Sequence, residues 1–255
     1  MLIATWLVAI GIGVVLGLLG GGGSVLTVPT FVYLLGLPTK SAVAMSMPVV
    51  GITSVIGAYG HWRAGNIAWR SALPFGLVAM VGAFGGARLA HYLTGAQQLV
   101  LLAVVMVSTA LSMLRRKGPE ATERTDGASS PSALRPSVLV AAAVVGILTG
   151  LVGIGGGFLV VPALVLLAQT PMQRAIGTSL VVIAMNAASG LLGYVGQTAI
   201  DWTIVAWFSL LSAVGILVGA RLSSVVPPAK LRSGFAYMLL ALSAFILWQN
   251  RTGLS

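Results

Sequence analysis

The chain of 255 residues has a hydrophobic fraction of 58%, a charged fraction of 7% and a formal net charge of +10. A soluble domain carries roughly a quarter charged residues, so this composition excludes a water-soluble globular protein and predicts an all-α, polytopic membrane helical bundle. The basic residues stand singly at the ends of apolar segments or in one short linker, which is typical of membrane-orienting charge and argues against nucleic acid as a partner.

The first predicted element, residues 2 to 36, is too long for one crossing of the membrane. As a single helix it would measure roughly 50 Å, against a hydrocarbon core of about 30 Å. Residues 20 to 23 are four consecutive glycines in its middle, and glycine is costly inside a helix but favourable in a turn. We therefore predict a broken first helix that forms a re-entrant hairpin.

Three ordinary spans follow in each half of the chain. They are predicted near residues 41 to 60, 70 to 90 and 97 to 114, and again near 174 to 194, 202 to 222 and 230 to 249. A charged segment with a Gly-Ala-Ser-Ser-Pro stretch separates the halves and is typical of a solvated linker. The predicted units are a first transmembrane repeat (1–114), a linker (115–136) and a second transmembrane repeat (137–255).

The two halves are copies of one unit. Adding 133 to a residue number maps residues 17 to 89 onto 150 to 222 without a gap. The coinciding residues include Gly20/Gly153, Pro29/Pro162, Ser46/Ser179, Gly86/Gly219 and Arg88/Arg221. Internal repeats are frequent among secondary transporters, which bind substrate at the interface between the repeats.

Basic residues distinguish a hairpin from a single crossing in each opening segment. The hairpin leaves only Lys40, Arg88 and Arg251 on one face and gathers the other lysines and arginines on the face of the linker. Since cytoplasmic loops are enriched in these residues, the linker is predicted to be cytoplasmic and both termini periplasmic, in the bacterial cytoplasmic (inner) membrane. An odd number of crossings per half then makes the copies inverted repeats.

The glycine-rich breaks are the strongest candidates for a binding site. The candidate residues are Gly21, Gly22, Gly23 and Ser24 in the first half and Gly155, Gly156 and Gly157 in the second. A half-helix that starts at membrane depth presents unpaired N–H groups and the positive end of its dipole, which suit an anion. The alternative interpretation is that these glycines only let helices approach closely.

Polar residues in the spans add further candidates. Ser46, Ser179 and Asn186 are predicted either to coordinate an oxyanion or to bridge neighbouring helices. Arg88 and Arg221 occupy equivalent positions near span ends, where they attract an anion or extend to the membrane interface.

Acidic residues are scarce, and this disfavours a cation substrate. Three of the four lie in the linker and Asp201 begins a span, whereas a carrier of cations or protons commonly keeps a carboxylate in the bundle. The chain also has no cysteine and only two histidines, both at span ends. The sequence therefore predicts no metal, no cofactor and no catalytic residue, so the protein is not interpreted as an enzyme.

The glycine-rich turn followed by Pro29 or Pro162, the small-residue segments 41–60 and 174–193, and the Gly-Ala-Arg-Leu endings at 86–89 and 219–222 resemble the TauE/SafE family of membrane transporters. The resemblance implies export of sulfite or an organosulfonate such as sulfoacetate, with a small anion as substrate and membrane lipid as the surroundings. The hypothesis is alternating access, in which the anion lodges between the breaks. An anion channel and a non-transporting membrane scaffold are the alternatives; the sequence gives no prediction of oligomeric state.

Overall fold

The computed structural model describes residues 2–21, 23–115, 136–153, 157–166, 168, 170–223 and 226–250. Every secondary-structure element in these ranges is a helix, which confirms the predicted all-α class. The predicted linker, apart from its terminal residues Arg115 and Pro136, lies outside the described residues, as do Gly22, Gly155 and Gly156.

In residues 2–21 and 23–115, the first half forms five α-helices. They are α1 (Leu2–Leu19), α2 (Ser24–Pro29), α3 (Thr39–Arg63), α4 (Trp69–Leu89) and α5 (Gly95–Arg115). A π-helical turn, Thr30–Leu34, continues α2, and a short 3-10 turn, Ala90–Tyr92, follows α4.

The second half repeats this order. Its helices are α6 (Pro136–Val152), α7 (Gly157–Leu166), α8 (Met172–Tyr194), α9 (Trp202–Ser223) and α10 (Pro228–Asn250). Within the described residues, α3, α4, α5, α8 and α9 are long and apolar enough to cross a membrane, in agreement with five of the six predicted spans. The sixth predicted span lies within α10.

The opening segment of each half is broken at the glycines. Gly20 follows α1 with φ of +63° and Gly153 follows α6 with φ of +78°. In both cases the glycine N–H donates to the carbonyl four residues earlier, on Leu16 and on Thr149. A left-handed glycine just beyond the last turn ends a helix at low cost, so these two residues terminate α1 and α6.

The first helix of each half packs against the other half. A methyl group at Gly13 of α1 would overlap the backbone carbonyl of Ser212 on α9, and one at Gly17 would overlap that of Ile216. Equivalent overlaps connect α6 with α4: Gly146 meets Ala79 and Gly150 meets Ala83. The missing side chains let the paired backbones touch, and in each pair the residue numbers rise together, so the paired helices run parallel.

Of the five long apolar helices, α3 and α8 are the most deeply buried. In their most apolar stretches 72% of α3 and 67% of α8 is buried, against 39% for α4 and α9. Gly57 of α3 meets Leu180, and Met47 meets Gly190, so the two helices run antiparallel. They form the centre around which the other helices pack.

The outer faces are apolar and exposed. Large side chains at least half exposed include Leu77, Val81, Leu210, Val214 and Tyr237 on α4, α9 and α10. A soluble monomer does not expose apolar surface of this extent, whereas a lipid-facing helix requires it.

The two ends of the bundle are defined by contacts between loops. At one end, which we call the Lys40 end, Lys40 Nζ donates to the carbonyl of His91 at 3.2 Å, and the hydroxyls of Ser41 and Thr198 are 2.9 Å apart. At the other, the His61 end, a methyl group at Gly177 would press on His61, and the Ala68 N–H donates to Thr178 Oγ1 at 2.9 Å. The end of α3 and the starts of α4 and α8 therefore lie together at the His61 end.

Candidate functional site

The two glycine breaks meet in the interior. A methyl group placed on Gly21 would stand 2.5 Å from the Cα of Gly157, and one placed on Gly157 would overlap the Cα of Gly21. The tip that joins α1 to α2 and the tip that joins α6 to α7 are therefore in backbone contact. We refer to the contact between Gly21 and Gly157 as the tip contact.

Ser46 and Ser179 hold the two breaks from the opposite halves. The Ser46 hydroxyl on α3 contacts the carbonyl oxygen of Gly153 at the second break, and the Ser179 hydroxyl on α8 contacts that of Gly20 at the first. Both hydroxyls also contact a carbonyl of their own helix at 2.7 Å, on Val43 and on Ile176. The duplicated serines thus make duplicated, crossed contacts.

These contacts have a clear physical reason. The last carbonyls of a helix have no partner within it, and lipid offers none. Gly20 and Gly153 supply such carbonyls inside the bundle, and the serine hydroxyls are the donors that satisfy them. Ser46 and Ser179 thus bridge the halves through hydroxyl–carbonyl contacts, and coordination of an oxyanion by them stays a prediction.

Residues of the first tip close the hairpin on itself. Ser24 Oγ donates to the carbonyl of Gly21 at 2.6 Å, and the Ser24 N–H donates to the same oxygen at 3.1 Å. A methyl group at Gly23 would overlap the carbonyl of Ile12 on α1. Gly21, Gly23 and Ser24 are thus brought together at the tip, and Gly157 joins them from the second half.

Asn186 has a buried side chain whose amide groups are unused. It is 0% exposed, and among the described residues neither Oδ1 nor Nδ2 has a hydrogen-bond partner. It lies on α8 three residues after Ile183 and seven after Ser179, so all three share one helix face. That face is turned towards the breaks, because Ile183 Cδ1 lies 2.7 Å from the position of a methyl group on Gly157 and Ser179 contacts Gly20.

The residue equivalent to Asn186 in the first half behaves differently. Thr53 donates its hydroxyl to the carbonyl of Val49 at 2.7 Å, within its own helix. An unpaired polar group in an apolar interior costs free energy, and most buried polar groups are paired. The free amide of Asn186 therefore needs an explanation that the fold itself does not supply.

Two further buried hydroxyls were not among the predicted site residues. Thr27 Oγ1 on α2 and Ser54 Oγ on α3 are both 0% exposed and have no hydrogen-bond partner in the part of the chain that the structure describes. Their equivalents in the second half are Val160 and Ala187, so the unpaired hydroxyls break the symmetry of the duplication. That polar-to-apolar mismatch between copies is the signal that could have identified them.

A polar cluster at the end of α6 was also missed. Tyr194 Oη donates to the carbonyl of Gly150 at 3.0 Å, and Gln98 Nε2 donates to that of Leu151 at 3.1 Å. Tyr194 takes the place that His61 occupies in the first half, where His61 Nε2 has no partner. The end of α6 is thus fastened by side chains of α5 and α8.

Arg88 and Arg221 are not brought to the tip contact. Both side chains are exposed in the last turn of their helices, α4 and α9. The Arg88 guanidinium lies 5.4 Å from the ring centre of Phe84, which is itself exposed. The role of these two arginines, attraction of an anion or extension to the membrane interface, stays a prediction.

The described interior carries no formal charge near the tips. Every lysine and arginine whose side chain the structure describes is exposed: Lys40, Arg63, Arg70, Arg88, Arg115, Arg174 and Arg221. Asp201 is exposed as well and accepts from the N–H groups of Thr203 and Ile204 at the start of α9. A solute at the tips would meet hydroxyls, an amide and backbone dipoles.

Comparison with known proteins identifies a family and several relatives. A family model described as "Sulfite exporter TauE/SafE" matches residues 5–246. A Xylella fastidiosa protein named "Probable membrane transporter protein" is 31% identical over 98% of both chains. A Bacillus subtilis protein with the same kind of name is 28% identical over 87% of this chain and 90% of its own length. No solved structure matches the chain.

Proposed function

The chain belongs to the TauE/SafE family of membrane transporters, and from this premise we propose that it exports a small sulfur-containing anion, sulfite or an organosulfonate, across the cytoplasmic membrane. The observation that carries the proposal is the tip contact between Gly21 and Gly157, with the unpaired amide of Asn186 on the helix face that adjoins it. The substrate would bind where the tips separate. The described site residues Gly21, Gly23, Ser24, Gly157 and Asn186 surround or shape that position.

The proposed hairpins are supported by the direction of the helices. The loop before α9 contains Thr198 at the Lys40 end, and α1 runs parallel to α9, so α1 also starts there. The segment after the first break returns to the same end, since Tyr33 accepts from Asn250 Nδ2 at 3.0 Å and α3 then begins beside Lys40. The first hairpin thus enters and leaves at the Lys40 end.

The second half has the opposite direction, which supports inverted repeats. α6 runs parallel to α4, and α4 starts beside Ala68 at the His61 end. α7 leads to α8, whose Thr178 lies at that end too. Two hairpins inserted from opposite faces give related inward-open and outward-open arrangements, as alternating access requires.

The proposed orientation places the His61 end in the cytoplasm. Arg63, Arg70 and Arg174 adjoin that end, whereas Lys40 and Arg88 adjoin the other. Loops rich in lysine and arginine stay in the cytoplasm, and an interior-negative potential favours anion exit by about 2.3 kcal/mol per charge per 100 mV. Export of an anion therefore needs no coupling ion.

Selection for an anion is proposed to come from the starts of α2 and α7, which lie at the tips where α1 and α6 end. α2 and α7 both begin at the tip contact, so the positive ends of their dipoles point towards it. The carboxylate of Asp201, by contrast, is exposed at the start of α9. Gly22, Gly155 and Gly156, proposed as further ligands, lie in the sequence between the helices of the two breaks.

The direct test is flux through the purified protein in liposomes. We expect saturable, protein-dependent movement of labelled sulfite, with counterflow when unlabelled sulfite is present on the far side. Counterflow distinguishes a carrier from a channel, which would conduct without saturation.

Substitution at the tip contact gives the matched comparison. Gly157→Val fills the position where the two tips touch, whereas Gly234→Val on α10 adds a side chain where no atom lies within 4 Å. Gly157→Val should lose sulfite flux and Gly234→Val should retain it. Equal flux in both variants would reject the tip contact as the substrate position, and no protein-dependent flux of any sulfur anion would reject the function.

A further inference from the structure

The interior that adjoins the tip contact has no formal charge with which to balance its substrate. All described lysine and arginine side chains are exposed, and the polar side chains described on the first tip and on the face of α8 that contacts the breaks are Ser24, Ser179 and Asn186. The free energy needed to transfer an ion from water into such surroundings rises with the square of its charge, so a dianion costs about four times as much as a monoanion. The free energy of transfer therefore favours a monoanion over a dianion.

The side chain of Asn186 favours a substrate that carries a proton. Its carboxamide offers a donor, Nδ2, and an acceptor, Oδ1, and both are buried and unpaired. A fully ionised oxyanion carries only acceptor atoms, so it would pair with Nδ2 and leave Oδ1 without a partner. An oxyanion that keeps one proton satisfies both atoms, since its ionised oxygen accepts from Nδ2 and its acidic hydrogen is donated to Oδ1.

The first half has no amide equivalent to Asn186, and its unpaired buried hydroxyls are those of Thr27 on α2 and Ser54 on α3. Thr53, the equivalent residue, uses its hydroxyl within its own helix. Ser46 and Ser179 donate to the breaks, and Ser24 donates to Gly21. Asn186 is thus the described side chain on the tip-facing surface of α8 that still has both a donor and an acceptor to offer.

We propose that the transported species is a singly charged, protonated oxyanion, hydrogensulfite in the case of sulfite, and that the Asn186 carboxamide recognises it through one donated and one accepted hydrogen bond. This inference rests on the proposed transport of a sulfur anion at the tip contact. The inference assigns a single negative charge to the substrate and names Asn186 as the residue that recognises its protonated form. A dianionic organosulfonate such as sulfoacetate is a poor substrate for the same reason.

The first experiment needs no variant. Wild-type protein in liposomes is assayed for labelled sulfite flux at a series of pH values that spans the second ionisation of sulfurous acid, with equal pH inside and outside and the membrane potential clamped. Methanesulfonate, whose single charge does not change over this range, is assayed in parallel. Flux through protein-free liposomes is subtracted at every pH, because sulfur dioxide formed from sulfite crosses lipid unaided.

We expect sulfite flux to fall about tenfold for each pH unit above the second ionisation, while methanesulfonate, which has no acidic hydrogen to donate to Oδ1, gives a lower flux that does not change with pH. Rates measured at different pH should fall on one curve when they are plotted against the concentration of hydrogensulfite. A sulfite flux that rises with pH, or that stays constant as methanesulfonate flux does, would overturn the inference and leave the proposed transport standing. Absence of flux for both anions would overturn the transport function and this inference with it.

The second experiment tests the residue. Asn186→Leu keeps the size of the side chain and removes both polar atoms, and Thr53→Val is the matched control in the other half, at the equivalent position. We expect Asn186→Leu to lower hydrogensulfite flux about tenfold and to lower the ratio of hydrogensulfite to methanesulfonate flux, because only the former donates to Oδ1. Thr53→Val should keep both the hydrogensulfite flux and its ratio to the methanesulfonate flux.

A merely structural role for Asn186 predicts a different result. It would lower both fluxes in the same proportion and leave their ratio unchanged, and that outcome would remove Asn186 from the proposal. If the variant does not fold, the pH series with the wild-type protein decides the charge state by itself.

Discussion

The hydroxyl of Ser46 contacts the carbonyl oxygen of Gly153, a residue 107 positions away in the other half of the chain. Ser179 makes the same contact with Gly20 across 159 positions. Each half therefore supplies the donor that completes the break in the other. Four predictions follow from this arrangement and from the packing around it.

Removal of either serine hydroxyl should destabilise the protein. Ser46→Ala and Ser179→Ala leave a buried carbonyl without its donor, which should cost about 2 kcal/mol in the free energy of unfolding. Ser243→Ala is the control, because Ser243 is 1% exposed but donates only to Leu240 in its own helix. Thermal unfolding in detergent would show the difference, and equal losses at Ser46 and Ser243 would contradict a special role for the crossed contact.

Adjacent glycines of α4 should respond in opposite ways. A methyl group at Gly86 would overlap the carbonyl of Ile147 on α6, whereas one at Gly85 meets nothing within 4 Å. Gly86→Ala should therefore lower the melting temperature, and Gly85→Ala should raise it slightly because alanine favours the helix by up to about 1 kcal/mol. If both variants melt at the wild-type temperature, the close packing of α4 on α6 is wrong.

The glycine that ends α1 should tolerate substitution less well than another left-handed glycine. Gly20 and Gly36 have φ of +63° and +66°, but a methyl group at Gly20 would press on Ile176 while one at Gly36 meets no atom within 4 Å. Gly36→Ala should cost only the backbone term of about 1 kcal/mol, and Gly20→Ala should cost more. Chemical or thermal denaturation of both variants measures the two losses of stability. Equal losses would show that a methyl group at position 20 does not clash with Ile176.

Equivalent loops should react with reagents from opposite sides of the membrane. Ala64, after α3, and Ala199, before α9, are both exposed, and each lies in the loop that joins the third and fourth helices of its half. The chain has no cysteine, so Ala64→Cys and Ala199→Cys each introduce a single thiol. An impermeant maleimide should label Ala199→Cys in intact cells and Ala64→Cys only after the membrane is opened. Labelling of both from one side would exclude inverted repeats.

The sequence predicted the breaks and the spans well because their causes are local. Glycine and proline act on their own stretch of backbone, and an apolar run of about 20 residues needs no knowledge of its neighbours to be interpreted as a span. The duplication added a second, independent occurrence of each signal. For the same reason Gly20 and Gly153, and the helices that flank them, lie where they were expected.

The roles of the polar residues were harder to predict because they depend on contacts between the halves. Whether Ser46 binds a solute or a carbonyl is decided by what lies opposite it, and Gly153 is far away in the sequence. The unpaired state of Asn186, Thr27 and Ser54 likewise appears only when their surroundings are known. Arg88 was ambiguous for a related reason, since a long side chain near a helix end can turn inwards or outwards, and here it is exposed.

The packing of the first helix of each half against the other half also has a consequence for biosynthesis. α1 is synthesised well before α9, and α9 carries the glycine-lined surface that α1 fits. Until α9 has been made, the face of α1 that carries Gly13 and Gly17 has no partner helix and must face lipid. The partner of α4 is α6, which is made much sooner after it. If the two halves were expressed as separate polypeptides, each would lack the helix against which its first helix packs. The halves should therefore become stable only when they are synthesised together.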